Sequence, residues 1–164
     1  PTDPPVLLIA GDGSERCSLE ALAAELGVAP HVRFLGWRPD AAELCGAFDL
    51  FTLSSRSEGT SISLLEAMGS GVCPTVTDVG GNRAVLGPEL EALLVPDDDD
   101  AAMASTWHRL LSDPAYRNEL GVASRHRVEA RFSLTRMVEE HVSLYHELLG
   151  ASYTAHPVDG RNTR

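Results

Sequence analysis

Leu50-Phe51-Thr52-Leu53, followed closely by Ser57-Glu58-Gly59-Thr60-Ser61-Ile62-Ser63-Leu64-Leu65-Glu66-Ala67-Met68, reads as a strand, a loop of small and hydroxylated residues, and an apolar helix. The helix is expected over about 60–70, and Ile62, Leu64, Leu65, Ala67 and Met68 leave it no water-facing stripe, so burial is expected. Glu66 sits in its middle, where an unpartnered carboxylate is costly. No Lys or Arg stands at the helical neighbours Ile62, Ser63, Gly69 or Ser70, so its partner comes from another element or from a ligand. The ligand is the preferred reading. The alternative is a capped core helix whose Glu66 pairs with a basic side chain elsewhere in the fold.

The start of the helix favours the ligand. Gly59, Thr60, Ser61 and Ser63 cluster where a helix leaves its first N–H groups unpaired, an end that attracts phosphate. Glu58 stands in the turn ahead and Glu66 about two turns inside. A carboxylate therefore borders each side of the proposed anion position.

Working outward, strand-like runs at about 6–10, 32–35, 48–53, 73–77 and 91–95 alternate with helical segments at about 14–26, 39–47 and 60–70. This is the pattern of an α/β fold: a Rossmann-like, largely parallel open sheet with helices on both faces. Leu19, Leu22, Ala23 and Leu26 form one apolar face of the first helix. From Asp99 onward the pattern is helical, over about 99–112, 114–131 and 134–149, with Asp113 as a cap and Pro114 at the first helical position. Leu134, Met137, Val138, His141, Tyr145 and Leu148 follow the helical period in the last of these. One domain is expected over residues 1–150 and a loose tail over 151–164.

Composition sets bounds on function. The 164 residues carry a formal net charge of −11, which argues against a general nucleic-acid binder, whose footprint is basic. No run reaches the ~18–20 apolar residues of a membrane span. Cys17, Cys45 and Cys73 are odd in number and lack a C-x-x-C pair, so they read as reduced core cysteines. The six histidines have no ligand-like company, and no metal site is expected. Asp97 to Asp100 reads as an acidic helix start. Gly11-Asp12-Gly13 is mainly a structural turn, because Arg16 replaces the third glycine of a G-x-G-x-x-G loop. Gly80-Gly81-Asn82 reads as a flexible loop facing a cleft, with Arg56 and Arg83 as the nearest, solvated cations. Gly36-Trp37 lies past a strand's carboxyl end, where open α/β sheets bind ligands.

Ser-Glu-Gly-x4-Leu-Leu-Glu-Ala-Met-x-x-Gly at 57–71 resembles the signature of the large retaining GT-B glycosyltransferase family 4, the glycosyl transferases group 1. Val6 to Gly13, Val32 to Gly36, Phe48 to Ser55, Cys73 to Asn82 and Ala92 to Pro96 resemble its C-terminal, nucleotide-sugar-binding domain in order. The resemblance covers about residues 5–149. It implies a hexosyltransferase of polysaccharide biosynthesis that takes a UDP- or GDP-sugar donor and a carbohydrate or lipid-linked acceptor, with retention. It gives Glu66 the donor ribose hydroxyls and makes Glu58 the catalytic residue beside the sugar. Gly59, Thr60, Ser61 and Ile62 present backbone N–H groups to sugar and phosphate, and the Trp37 backbone meets the base. No metal or other cofactor is implied.

The resemblance also implies a partner, the N-terminal GT-B domain that carries much of the acceptor site. It places the full-length enzyme in the cytoplasm, with peripheral attachment to the membrane as an option. The family's domain opens with a strand–helix unit bearing an Arg and a Lys for the pyrophosphate. That unit belongs before Val6 and is expected to be lacking, so the isolated chain is expected to be inactive. Thr60 and Ser61 stand where the commoner form has an aromatic residue and a glycine, and Ala84 stands where relatives often carry Glu. Two alternatives remain: a non-catalytic nucleotide- or partner-binding module of the same fold, and a GT-B-fold sugar-nucleotide epimerase.

Overall fold

The computed structural model describes residues 4–149, so the tail expected over 151–164 lies outside the described residues. Strands β1 (Leu7–Ala10), β2 (Val32–Gly36), β3 (Leu50–Leu53), β4 (Cys73–Thr77) and β5 (Leu94–Val95) are joined by helices α1 (Arg16–Glu25), α2 (Ala41–Cys45), α3 (Ile62–Gly69) and α4 (Asn82–Leu86). Helices α5 (Asp100–Ser112), α6 (Pro114–Arg131) and α7 (Leu134–Leu149) follow. Every ladder is parallel, as right-handed crossovers through helices require.

The strands do not form one sheet. β1 pairs with β2, and β3, β4 and β5 form a second sheet in that order. β1 and β3 therefore each have a strand on one edge only, and no described residue supplies the other. The expected parallel α/β architecture is present, with its strands divided between these two sheets.

The core gathers around β4, where Cys73, Pro74, Thr75, Val76 and Thr77 are all buried, as befits a central parallel strand covered on both faces. Leu64 and Met68 of α3, Leu86, Leu93 and Leu110 close over Val76. α6 comes so near the turn after α3 that a Cβ on Gly121 would collide with the Gly71 carbonyl oxygen. The helical C-terminal part is tied to the β3 region by two polar bridges. Trp107 Nε1 donates to Thr52 Oγ1 at 2.7 Å. Arg117 donates to the Leu110 carbonyl at 3.0 Å and to Asp49 at 3.1 Å. Asp113 caps α6 by accepting from Tyr116 N at 3.0 Å, with Pro114 in the first turn as anticipated.

The first third departs from expectation. Of the α1 face, only Ala23 is buried; Leu19, Leu22 and Leu26 are exposed. Cys17 is exposed too, so only Cys45 and Cys73 are core thiols. The reason is the narrow sheet beneath: Leu7 and Leu8 of β1 are themselves exposed, so α1 has no broad apolar surface to cover. Leu134, Met137, Val138, Tyr145 and Leu148 likewise leave the apolar stripe of α7 exposed. The run expected as a strand at 91–95 is mostly a 3-10 segment, Pro88–Leu93, leaving two residues for β5. Arg127 stabilises this stretch by donating to the Ala84 carbonyl at 2.9 Å and pairing with Glu89 at 3.2 Å.

Candidate active site

The segment between β3 and α3 builds the site. Ser61 adopts an extended backbone and caps α3, its Oγ accepting from Leu64 N at 3.4 Å. The helix thus begins at Ile62, two residues later than its expected start. Gly59 and Thr60 lie in the loop ahead, and the first-turn donors without helical acceptors are those of Ile62, Ser63 and Leu64.

Glu58 is half-buried, and its Oε1 accepts from Ser55 Oγ at 2.6 Å. The loop that carries it is clamped by the end of β4 and the residues after it. Thr77 Oγ1 donates to the Ser55 carbonyl at 2.6 Å, and Gly81 N donates to the Gly59 carbonyl at 3.1 Å. Gly80 has φ +51°, and a Cβ there would overlap the Glu58 carbonyl; one on Gly81 would overlap the Gly59 carbonyl. Both glycines are needed for this close approach. Asn82 is wholly buried, and its Nδ2 donates to the Thr77 carbonyl at 3.0 Å. Gly80-Gly81-Asn82 is therefore not a flexible loop: it is a packed brace that leads into α4.

Helix α3 is not wholly buried either. Leu64, Ala67 and Met68 form the core stripe through their helical spacing, whereas Ile62, four residues before Glu66, is 65% exposed. Glu66 shares that outer face and is half-buried. Among the described residues its carboxylate makes no hydrogen bond or ion pair, so the basic partner of the alternative reading does not materialise. Its charge is felt nearby on α2: burial, and then the Glu66 charge, push the Cys45 thiol up.

Cations near the site are committed elsewhere. Arg83 holds Asp78 and Glu91 together, and those two acids raise its pKa above the usual arginine value. Arg56 faces Asp98 at 3.5 Å. All 13 basic residues of the chain are arginines. Arg16 stays with the Gly11–Gly13 turn, pairing with Glu20 at 2.9 Å and lying 5.9 Å from the Phe34 ring. This supports the structural reading of that turn. Trp37 is 75% exposed and makes no hydrogen bond or ring contact among the described residues.

Two participants escaped the sequence reading. Ser55 was detectable in the Ser-x-x-Glu spacing to Glu58, which resembles a capping box but occurs here in a loop. Thr77 carried no local signal, because its contact with Ser55 spans 22 residues of chain.

These parallel strands, with helices packed on both faces, form the α/β fold of the GT-B glycosyltransferases. The chain belongs to the glycosyl transferases group 1 family, whose profile matches residues 2–127. It is 33% identical over 139 residues to the lipopolysaccharide core biosynthesis glycosyltransferase LpsD of Rhizobium meliloti, covering 85% of this chain and 40% of that protein. It is 32% identical over 143 residues to the N-acetyl-alpha-D-glucosaminyl L-malate synthase of Bacillus anthracis, covering 87% of this chain and 38% of the relative. The fold matches sucrose-phosphate synthase from Thermosynechococcus elongatus with a TM-score of 0.80 and 32% identity, over 89% of this chain and 39% of that one. It also matches Anabaena HepE in complex with UDP, with a TM-score of 0.80 and 21% identity over 89% and 42% of the respective chains. The chain spans about two fifths of the length of the curated relatives named here. No helix among the described residues is long and apolar enough to cross a membrane.

Proposed function

We propose that this chain is the donor-binding half of a retaining glycosyltransferase, which transfers a hexosyl unit from a nucleoside diphosphate sugar to a carbohydrate or lipid-linked acceptor. The observation that carries the reading is Glu66, a half-buried carboxylate on the outer face of α3 with no hydrogen-bond or ion-pair partner among the described residues. An ionised carboxylate accepts hydrogen bonds from both hydroxyls of a cis-diol, and the donor ribose presents one. UDP is the nucleotide in the complex with HepE, and a further structure of that protein, of the same fold, holds UDP-glucose.

In this reading the N–H groups of Gly59, Thr60, Ser61 and Ile62 face the sugar and diphosphate. In the net reaction the anomeric carbon exchanges its bond to the phosphate oxygen for one to the acceptor hydroxyl oxygen. The electrons of the broken bond leave on the diphosphate, the hydroxyl proton passes to the diphosphate or to solvent, and preorganised N–H donors stabilise the departing charge without requiring a metal. Among the described residues Arg56 and Arg83 already pair with carboxylates, which leaves the N–H donors as the groups proposed to meet the diphosphate. Glu58 lies beside the sugar, where its negative charge favours the positive charge that develops at the anomeric carbon. The Trp37 backbone at the end of β2 borders the base.

The test is turnover of the whole encoded protein with labelled UDP- and GDP-sugars. The anomeric configuration of the product should match that of the donor, and an inverted product overturns retention. Glu58→Gln should lower kcat while leaving nucleoside diphosphate affinity nearly intact. Equal losses in both would instead move Glu58 into the phosphate or ribose site.

A further inference from the structure

We infer that Ser55 is the positioning residue of Glu58, fixing its carboxylate through the hydrogen bond donated to Oε1, with Thr77 holding Ser55 in turn. This rests on the catalytic reading of Glu58 given above.

A glutamate on an irregular loop has several rotatable bonds, and fixing its backbone leaves the carboxylate free to sample many positions. The clamp by Gly80 and Gly81 acts only on the Glu58 and Gly59 backbone. At the side chain, Ser55 is the sole hydrogen-bond or ion-pair partner among the described residues. Arg56, two residues before Glu58, pairs with Asp98 instead. The chemistry of the partner matters. An arginine would hold the carboxylate by neutralising it; a serine hydroxyl orients one oxygen, leaves the negative charge in place and leaves Oε2 open.

Ser55 is itself fixed from a rigid base. Its carbonyl accepts from Thr77 Oγ1 at 2.6 Å, and Thr77 is 4% exposed at the end of the buried strand β4. The chain of contacts therefore runs from the core strand through Thr77 and Ser55 to the carboxylate. Preorganisation of this kind raises turnover more than ground-state binding, because it acts where charge develops.

The experiment compares Ser55→Ala, Ser55→Thr, Glu58→Ala and the Ser55→Ala/Glu58→Ala double variant of the whole encoded protein, using labelled UDP-glucose and UDP as probes. Ser55→Ala should lower kcat roughly 10- to 100-fold, the loss of one hydrogen bond to a charged group, with UDP affinity within about twofold. Ser55→Thr keeps the hydroxyl and should recover most of the turnover. Ser55→Ala should add nothing in the Glu58→Ala background, since it acts through that carboxylate. A crystal structure of Ser55→Ala should show the Glu58 side chain spread over several rotamers, a readout independent of donor choice. A single wild-type-like rotamer, or a Ser55→Ala loss that compounds with Glu58→Ala, overturns the inference. If Glu58→Ala is impaired while Ser55→Ala is not, only the role of Ser55 falls. If Glu58→Ala retains full turnover, the catalytic reading falls and takes Ser55 with it.

Discussion

The Glu66 carboxylate makes no hydrogen bond or ion pair among the described residues, so replacing it separates a ligand role from a structural one. Glu66→Gln keeps the size and removes the charge. Nucleotide binding should weaken by about 1.5–3 kcal/mol, while the unfolding free energy stays within about 0.5 kcal/mol of wild type. Calorimetric titration with UDP and GDP, paired with thermal unfolding, measures both; unchanged affinity in a stable variant removes Glu66 from the ribose. The cysteines offer a second residue-scale check. Burial pushes the Cys73 thiol up to about 12, and Cys45 is raised as well, while Cys17 is exposed. At pH 8 the native protein should show one fast-reacting thiol, and all three should react after unfolding. A group that holds its proton more tightly when folded loses its stabilising share as pH rises from its unfolded value. For Cys73 that loss falls between the ordinary 9.0 and about 12, and denaturant midpoints across that window should decline.

At the scale of elements, the site depends on two strand ends meeting back to back. Gly80→Ala places a Cβ into the Glu58 carbonyl at a backbone angle that disfavours side chains. The loop after β3 must shift. We expect a loss of about 1–3 kcal/mol in stability, and turnover reduced more than UDP affinity. Equal unfolding midpoints and kinetics for Gly80→Ala and wild type would show that the loops are not braced. How much of this was legible follows the range of the interactions. The alternation of β3, α3 and β4 and the cap at Asp113 are local patterns, and they appear where the sequence places them. The brace was misread as a flexible loop because two glycines suggest freedom, whereas here they permit contact with a segment some 20 residues earlier. The α1 face was misread for a related reason: apolar periodicity says which side seeks cover, not whether a sheet is wide enough to provide it. Burial of α3 was overestimated because Ile62 counts as apolar although it stands on the outer face with Glu66.

For the whole molecule, the distribution of exposed apolar surface points beyond the chain. Val6, Leu7 and Leu8 of the β1 region, Leu19, Leu22 and Leu26 of the α1 region, and the α7 stripe from Leu134 to Leu148 all face solvent, while the core is confined to the surroundings of β4. Among the described residues β1 and β3 each have one unpaired edge, a surface that natural proteins normally cover or pair. The chain also carries a net charge of −11, unfavourable for holding a diphosphate unless cations are brought in. Group transfer further needs donor and acceptor held together with water excluded, and in the proposed reading this chain offers one wall of such a cleft. We therefore expect residues 1–164 alone to bind UDP weakly and to leave UDP-glucose, GDP-mannose and UDP-N-acetylglucosamine unreacted with assorted acceptors. Incubation of the purified chain with each labelled donor is the direct trial, with UDP titration confirming that it is folded enough to bind. Robust glycoside formation by the chain alone would mean that the acceptor site and the phosphate-stabilising groups are complete within it. The exposed β1, α1 and α7 surfaces would then require a different partner from the remainder of a glycosyltransferase.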